Sequence, residues 1–222
     1  LYDSPIAVVT TMPDATPEWM AHVVARGLEH TAGQGIERIE LEVDRADEAM
    51  RSLMFERGFE VAGDAIVECW IEATTRPEIS PLAEPYRLAS RADTIDLLPH
   101  HMADARRPNV EERLRQTSLY RPDLDLVVLD GDDVAAYGLF WYDPVSATGV
   151  VEPMRTEDGH QQRGLARHVL TAGIDRLADA GAQRISIGYE PDNPASGHLY
   201  RSVGFVPHQH TDLFAGPTTA PR

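Results

Sequence analysis

Slid against itself by 146 residues, the 222-residue chain superposes Gly35 on Gly181, Arg38 on Arg184, Ile39 on Ile185, Ala49 on Ala195, Leu53 on Leu199, Gly58 on Gly204 and Phe59 on Phe205, without a gap. A duplication constrains a fold more than a single motif does, because one element order must serve both copies. In the second copy Leu165, Val169, Leu170, Ile174 and Leu177 form one apolar helical stripe that ends near Ala180-Gly181. Ile185, Ile187 and Tyr189 then alternate as a strand. Asp192-Asn193-Pro194 opens a second helix through Leu199 and Tyr200, and Gly204 stops it before the strand Phe205-Val206. The first copy reads likewise: a helix from Thr16-Pro17 to Gly33, a strand through Ile39, Leu41 and Val43, and a helix ending at Gly58.

Upstream of the second copy, Tyr86 to Ala89 reads as a strand, Asp93 as the cap of a helix to about Arg106, and Val110 to Gln116 as another helix. Leu124, Leu126 and Val128 alternate up to the hairpin signal Asp130-Gly131, Val134 to Tyr142 returns antiparallel, and Ala147 to Thr156 adds a third strand. The expected fold is α/β, a mixed, mostly antiparallel sheet flanked by helices, preceded by a partial copy of itself. The expected domains are 1–75 for the partial copy, 76–85 for a linker with three prolines, and 86–222 for the complete one. The first copy lacks counterparts of the opening strands, so the sequence reads as a fragment or as a copy that lost them. Another subunit, as in a homodimer, is the remaining source.

Twenty Lys+Arg against 36 Asp+Glu give a net charge of −16 and a pI of about 4.8, which repels phosphate backbones and anionic membranes. Nucleic acid and membrane are therefore not expected partners. No apolar run approaches the ~20 residues of a bilayer span, and the expected compartment is the cytoplasm. All the basic residues are Arg. Residues 1–85 hold 6 Arg against 17 Asp+Glu, read as a solvated face or as an attractor of cationic substrate. Cys69, the lone cysteine, sits in a strand-like run and reads as a small buried hydrophobe.

The strand ending Glu152-Pro153-Met154-Arg155-Thr156 feeds Glu157-Asp158-Gly159-His160 and then Gln161-Gln162-Arg163-Gly164-Leu165-Ala166, which enters the long helix. A strand, a short glycine loop and a helix start let backbone N–H groups converge on an anion, and the helix dipole adds up to ~2 kcal/mol. Arg155, Arg163 and Arg167 are offset by Glu152, Glu157 and Asp158, so the amides must dominate the site. The spacing is not that of a Rossmann fingerprint, and without Lys a P-loop is excluded. Taken alone the hexapeptide is a weak signal that also fits a plain strand-to-helix turn.

Its surroundings sharpen it. Glu152 on the strand, Gln161 to Ala166, Asn193 after the next strand, and Leu199-Tyr200-Arg201-Ser202-Val203-Gly204-Phe205 resemble, in spacing and order, the GNAT superfamily of N-acetyltransferases. The resemblance covers about Tyr86 to Phe214, with Ala166 where many members carry glycine and Thr156 where a branched apolar residue is usual. It implies acetyl-CoA as co-substrate and no metal. It also implies that backbone at Met154, Arg155 and Thr156 pairs with the pantetheine arm, with the Thr156 amide as oxyanion donor. Gln161, Gln162, Arg163, Gly164, Leu165 and Ala166 would hold the diphosphate, and Asn193 the pantetheine region. Tyr200 stands at the general-acid position and also touches the coenzyme.

Glu152 is the candidate base, on the expectation that Glu152, Met154 and Thr156 share one strand face and that burial tunes the carboxyl. An exposed carboxylate is the alternative. The implied activity is acetyl transfer to a small primary amine by direct attack in a ternary complex; a non-catalytic acyl-CoA-binding or regulatory module is the rival. Tandem arrangement with one degenerate copy also fits, since the same offset places Ala15 to Met20 on Gln161 to Ala166, Ile6 on Glu152, Asp47 on Asn193 and Met54 on Tyr200. That copy is expected to bind no coenzyme, and Cys69, lying in it, to form no covalent intermediate. Tyr137, Trp141, Tyr142 and Tyr189 would flank the acceptor or fill the core. His160 is expected near the coenzyme. His208 and His210 could chelate a metal with His100 or His101, although solvent-facing histidines are the commoner outcome.

Overall fold

The computed structural model describes residues 6–8 by backbone alone, and 15–96, 99–103 and 109–219 in full. In chain order the elements are β1 (Ile6–Val8), α1 (Pro17–Gly33), β2 (Arg38–Asp44), α2 (Glu48–Glu56), β3 (Glu60–Glu72), β4 (Arg87–Ser90), α3 (Arg91–Thr94), α4 (Val110–Arg115), β5 (Asp125–Asp130), β6 (Asp133–Asp143), β7 (Thr148–Thr156), α5 (Leu165–Ala180), β8 (Arg184–Tyr189), α6 (Pro194–Val203) and β9 (Val206–Pro217). The chain forms two compact units: residues 1–68, 189–194 and 207–222 in one, 69–188 and 195–206 in the other. Among the described residues no helix is long and apolar enough to cross a membrane.

In the first unit Thr16 caps α1 by accepting from the Trp19 N–H at 3.2 Å, with Pro17 at the first helical position. Met20, Val24 and Leu28 recur every four residues and face Ile39, Leu41 and Val43 of β2, Met50 and Met54 of α2, Phe59 and Phe214. β1 runs parallel to β2, and β2 pairs antiparallel with β9 from Arg38–Pro217 to Asp44–Thr211. The elements α1, β2, α2, β3 begin within two residues of the α5, β8, α6, β9 starts when the 146-residue offset is applied.

In the second unit the strand order is β8-β7-β6-β5-β4, antiparallel except for the parallel β7–β8 pair. One face carries Ala89, Met102, Val127, Leu129, Tyr137 and Leu139, joined by Val110, Leu114 and Trp141. The other face takes α5. Here the separation is set by glycine: a Cβ on Gly173 of α5 would lie 2.0 Å from the Phe140 ring, and one on Gly149 of β7 would lie 2.7 Å from Leu177.

The helix expected from Asp93 to Arg106 is much shorter. Asp93 is not its cap: the Asp93 carboxylate accepts from the Ser90 N–H at 2.9 Å and the Ser90 hydroxyl at 2.6 Å, so α3 starts at Arg91. The buried Arg91 guanidinium then donates to the Thr94 and Ile95 carbonyls at 2.9 and 3.1 Å, drawing off the acceptors that a continuing helix would use. Residues 104–108, and with them Arg106, lie outside the described part.

Gly173→Ala should destabilise the protein despite alanine's better helix propensity, by roughly 1–3 kcal/mol, since Phe140 is fully buried and has nowhere to move. Urea denaturation of the pair measures it, and an equally stable variant would show that α5 can ride away from the sheet.

Candidate functional site

β6 and β7 pair with a fault. Gly138 faces Met154 and Phe140 faces Val151, so Glu152 and Pro153 together oppose Leu139. A bulge of this kind breaks the ladder and re-aims side chains. The Glu152 carbonyl accepts instead from the Trp141 indole N–H at 2.7 Å. The extra residue also interrupts the alternation expected to align Glu152, Met154 and Thr156. Met154 packs beside Val169 of α5 around the space left by Gly138, while Glu152 is turned out and exposed rather than buried. Thr156, opposite Ala136, has a buried hydroxyl with no hydrogen-bond partner.

Beyond β7 the Glu157 N–H donates to the Ala135 carbonyl at 2.9 Å, and Asp158–His160 make one 3-10 turn. Arg155 is exposed and paired with Glu157 at 3.0 Å; Gln161 Nε2 donates to Asp158 Oδ1 at 3.3 Å. Gln162 and Gly164 both take left-handed conformations, at φ +60° and +80°. Gly164 is the N-cap of the 16-residue α5, and having no side chain it offers the first-turn amides no cap. A Cβ there would meet nothing within 4 Å, so the space beside Gly164 itself is open. Leu165 is buried and Ala166 half-buried, which seats the helix start on the sheet.

Tyr200 of α6 is buried beside Phe205. Burial pushes its phenol above the ordinary range; a Ser196 hydrogen bond opposes the shift and Cys69 adds to it. Cys69 lies in the same compact unit as Tyr200, and it is buried. Asn193 lies on the loop before α6, exposed and in the first unit, with its N–H on the Glu190 carbonyl at 2.9 Å. That unit also holds a cleft of about 620 Å³ lined by Glu42, Asp64, Glu190 and Asp192. Burial first, then Glu190, pushes the Glu42 carboxyl up.

The histidines sort differently from their sequence pairing. His208 and His210 are exposed and in the first unit; His100 and His101 converge in the second on the two oxygens of Asp125. His100 Nε2 lies 2.9 Å from Oδ2, which also accepts from the Tyr120 hydroxyl at 2.8 Å. His101 Nε2 is 2.9 Å from Oδ1 but out of line for a hydrogen bond. The Met102 N–H donates to His100 Nδ1 at 3.1 Å, so Nε2 carries the ring proton and is committed to the carboxylate rather than free to ligate. Burial presses the Asp125 carboxyl upward, but the two histidines outweigh it and hold it at about 2, while burial lowers His101.

Sequence reasoning missed this network because the Leu124-Leu126-Val128 alternation put Asp125 on a wet face. Asp125 through Leu129 are in fact all buried, with both faces covered. A carboxylate inside so apolar a run was the available signal. Of the aromatic candidates, Tyr137 is buried against His101 at a ring separation of 4.8 Å, and Trp141 and Tyr142 are half-buried on β6; Tyr189 falls in the first unit.

Compared with known proteins, residues 88–205 match the model of the acetyltransferase (GNAT) family. The chain belongs to that family. It is 30% identical over 89 residues to a mycothiol acetyltransferase of Tsukamurella paurometabola, a match covering 39% of this chain and 30% of that protein. It is 45% identical over 47 residues to the L-amino acid N-acyltransferase MnaT of Escherichia coli, covering 21% of this chain and 27% of that one. The matched segments thus span less than a third of either relative. A tandem GNAT protein from the clavulanic acid biosynthesis pathway superposes at a TM-score of 0.76 with 10% identity, over 99% of this chain and 77% of its own. These likenesses agree with the α/β fold of a mostly antiparallel sheet flanked by helices.

Because the Asp125 carboxyl is held at about 2 against an ordinary 3.8, it contributes roughly 2 kcal/mol that is present above about pH 4 and lost as pH falls toward 2. Asp125→Asn should flatten the stability curve in that window, measured by guanidinium titrations at stepped pH; an unaltered slope would place the acid sensitivity elsewhere.

Proposed function

We propose that the protein is an acetyl-CoA-dependent N-acetyltransferase that transfers acetyl to a small primary amine by direct attack in a ternary complex. The observation that carries this is the start of α5: a left-handed glycine N-cap with open space beside it, and amides without a side-chain cap, at the exit of a bulged strand. Unpaired amides at a helix N-terminus suit a diphosphate even in a chain of charge −16. Acetyl-CoA supplies the activated acyl group as a thioester.

The backbone of Gln161 to Ala166 grips the diphosphate. The backbone of Met154, Arg155 and Thr156 aligns the pantetheine arm, and the Thr156 N–H polarises the acyl carbonyl. Tyr200 keeps its proton at neutral pH, as its raised pKa requires, and gives it to the departing sulfur. An alkylammonium of pKa about 10.4 costs about 4.6 kcal/mol to deprotonate at pH 7. Glu152, exposed at the bulge, takes that proton directly or through water. Relatives named for mycothiol and for L-amino acids support a small-molecule acceptor.

The segment 1–75 is read as a degenerate, incomplete copy of the domain spanning 86–222, joined by 76–85. Its α1 supports that reading: Thr16 caps the very amides that α5 leaves open, Pro17 removes one, and Glu18 adds negative charge. That copy is structural and binds no coenzyme.

Calorimetry with acetyl-CoA tests the core claim: one site is expected, and absence of heat sinks it. Gly164→Val, forcing a β-branched residue to φ +80°, should weaken binding at least tenfold. Tyr200→Phe should lower kcat by about 10²-fold or more while leaving acetyl-CoA affinity within about twofold. Unchanged turnover would remove Tyr200 from the acid role.

A further inference from the structure

Tyr86 lies just ahead of β4, before the matched family segment begins. Its hydroxyl is the meeting point of two side chains from the loop that precedes α5. Arg163 Nη1 donates to Tyr86 Oη at 2.7 Å, and Oη lies 3.1 Å from His160 Nδ1. The His160 ring stands edge-on to Tyr86 at 5.8 Å. A guanidinium can only donate, so the phenol accepts from Arg163, and the same hydroxyl also meets the His160 ring nitrogen Nδ1.

These contacts cross 77 and 74 residues of sequence and reach both ends of the turn Gln161-Gln162. That turn needs help. Gln162 is held left-handed without being glycine, a conformation a free chain disfavours. The Gln161–Asp158 and Arg155–Glu157 contacts are exposed and local, and cannot tie the loop to the sheet. Tyr86 can. It is buried, its N–H donates to the Ala83 carbonyl at 3.0 Å, and β4 after it pairs with β5 from Arg87–Leu129 to Ser90–Leu126.

We infer that Tyr86 is a positioning residue for the coenzyme: its hydroxyl fixes the diphosphate loop, and the Arg163 guanidinium with it, before the ligand arrives. The inference rests on reading that loop as the diphosphate cradle. A group that pre-forms a binding loop lowers the ordering cost of association and leaves the chemical step alone, so its loss should appear in affinity and KM and not in kcat. It should also appear only with donors that carry the diphosphate.

The test is Tyr86→Phe, which keeps the ring and removes the hydroxyl, assayed with acetyl-CoA and with acetylpantetheine, a donor that lacks the diphosphate. The expected result is about a tenfold rise in Kd and KM for acetyl-CoA, equivalent to about 1.4 kcal/mol, with kcat within about twofold and acetylpantetheine turnover unchanged. Arg163→Gln, at an exposed side chain that the fold does not need, should also weaken acetyl-CoA binding. Adding it to Tyr86→Phe should cost less than the two separate losses combined, because both break one contact. The clamp is overturned by an unaltered Kd in Tyr86→Phe, by an equal loss with acetylpantetheine, or by fully additive losses in the double variant. Wild-type protein that gave no heat with acetyl-CoA would overturn the acetyltransferase reading and the clamp together; wild-type binding with an indifferent Tyr86→Phe would overturn the clamp alone.

Discussion

The close seat of α5 on the sheet, where Gly173 lets the Phe140 ring occupy the space of a side chain, is the constraint on which the candidate site depends. Interiors pack at crystal-like density, so a helix lodged this tightly has one depth and one axial position. That position determines where the Gly164 amides emerge beyond the end of β7. Gly138 and Gly149 extend the same rule into the strands, taking Val169, Met154 and Leu177 into the room their missing side chains leave. The bulge at Glu152-Pro153 is the complement: where β6 and β7 stop pairing regularly, backbone groups of β7 are released from the ladder.

The starts of α1 and α5 differ in one respect that bears on the proposed site. α1 and α5 are of similar length, 17 and 16 residues, and each carries an amphipathic stripe. They differ at the cap, where Thr16 satisfies an amide from within the chain and Gly164 satisfies none. A hydroxyl in the capping position contributes about 1 kcal/mol to its helix. The uncapped helix forgoes that, and the tight packing of α5 offsets the loss.

Much of this was legible beforehand. The hexapeptide entering α5, the helix starts at Thr16 and Asp192-Asn193-Pro194, and the hairpin at Asp130-Gly131 are local signals, each set by residues near one another in the chain. What escaped was non-local. The bulge depends on how β6 meets β7, so strict alternation misplaced Glu152. Asp125 is held by His100, His101 and Tyr120 from separate segments, and in Leu124 to Leu129 only the apolar run around a lone carboxylate hints that both faces are covered. Tyr86 reads as an ordinary strand aromatic until its hydroxyl is seen against Arg163 and His160. Asp93 erred for a smaller reason: in a capping box the acidic partner stands three residues inside the cap, which shifted the helix start to Arg91.

β2 near the amino terminus takes β9 as its antiparallel neighbour, with Arg38 opposite Pro217. During synthesis, therefore, β2 leaves the ribosome well before the strand that pairs with it is made. Until then the edge of β2 that takes β9 stands unpaired, a template for pairing with another nascent chain. The heavy negative charge of this part of the chain then acquires a second use, as mutual repulsion that keeps half-made copies apart.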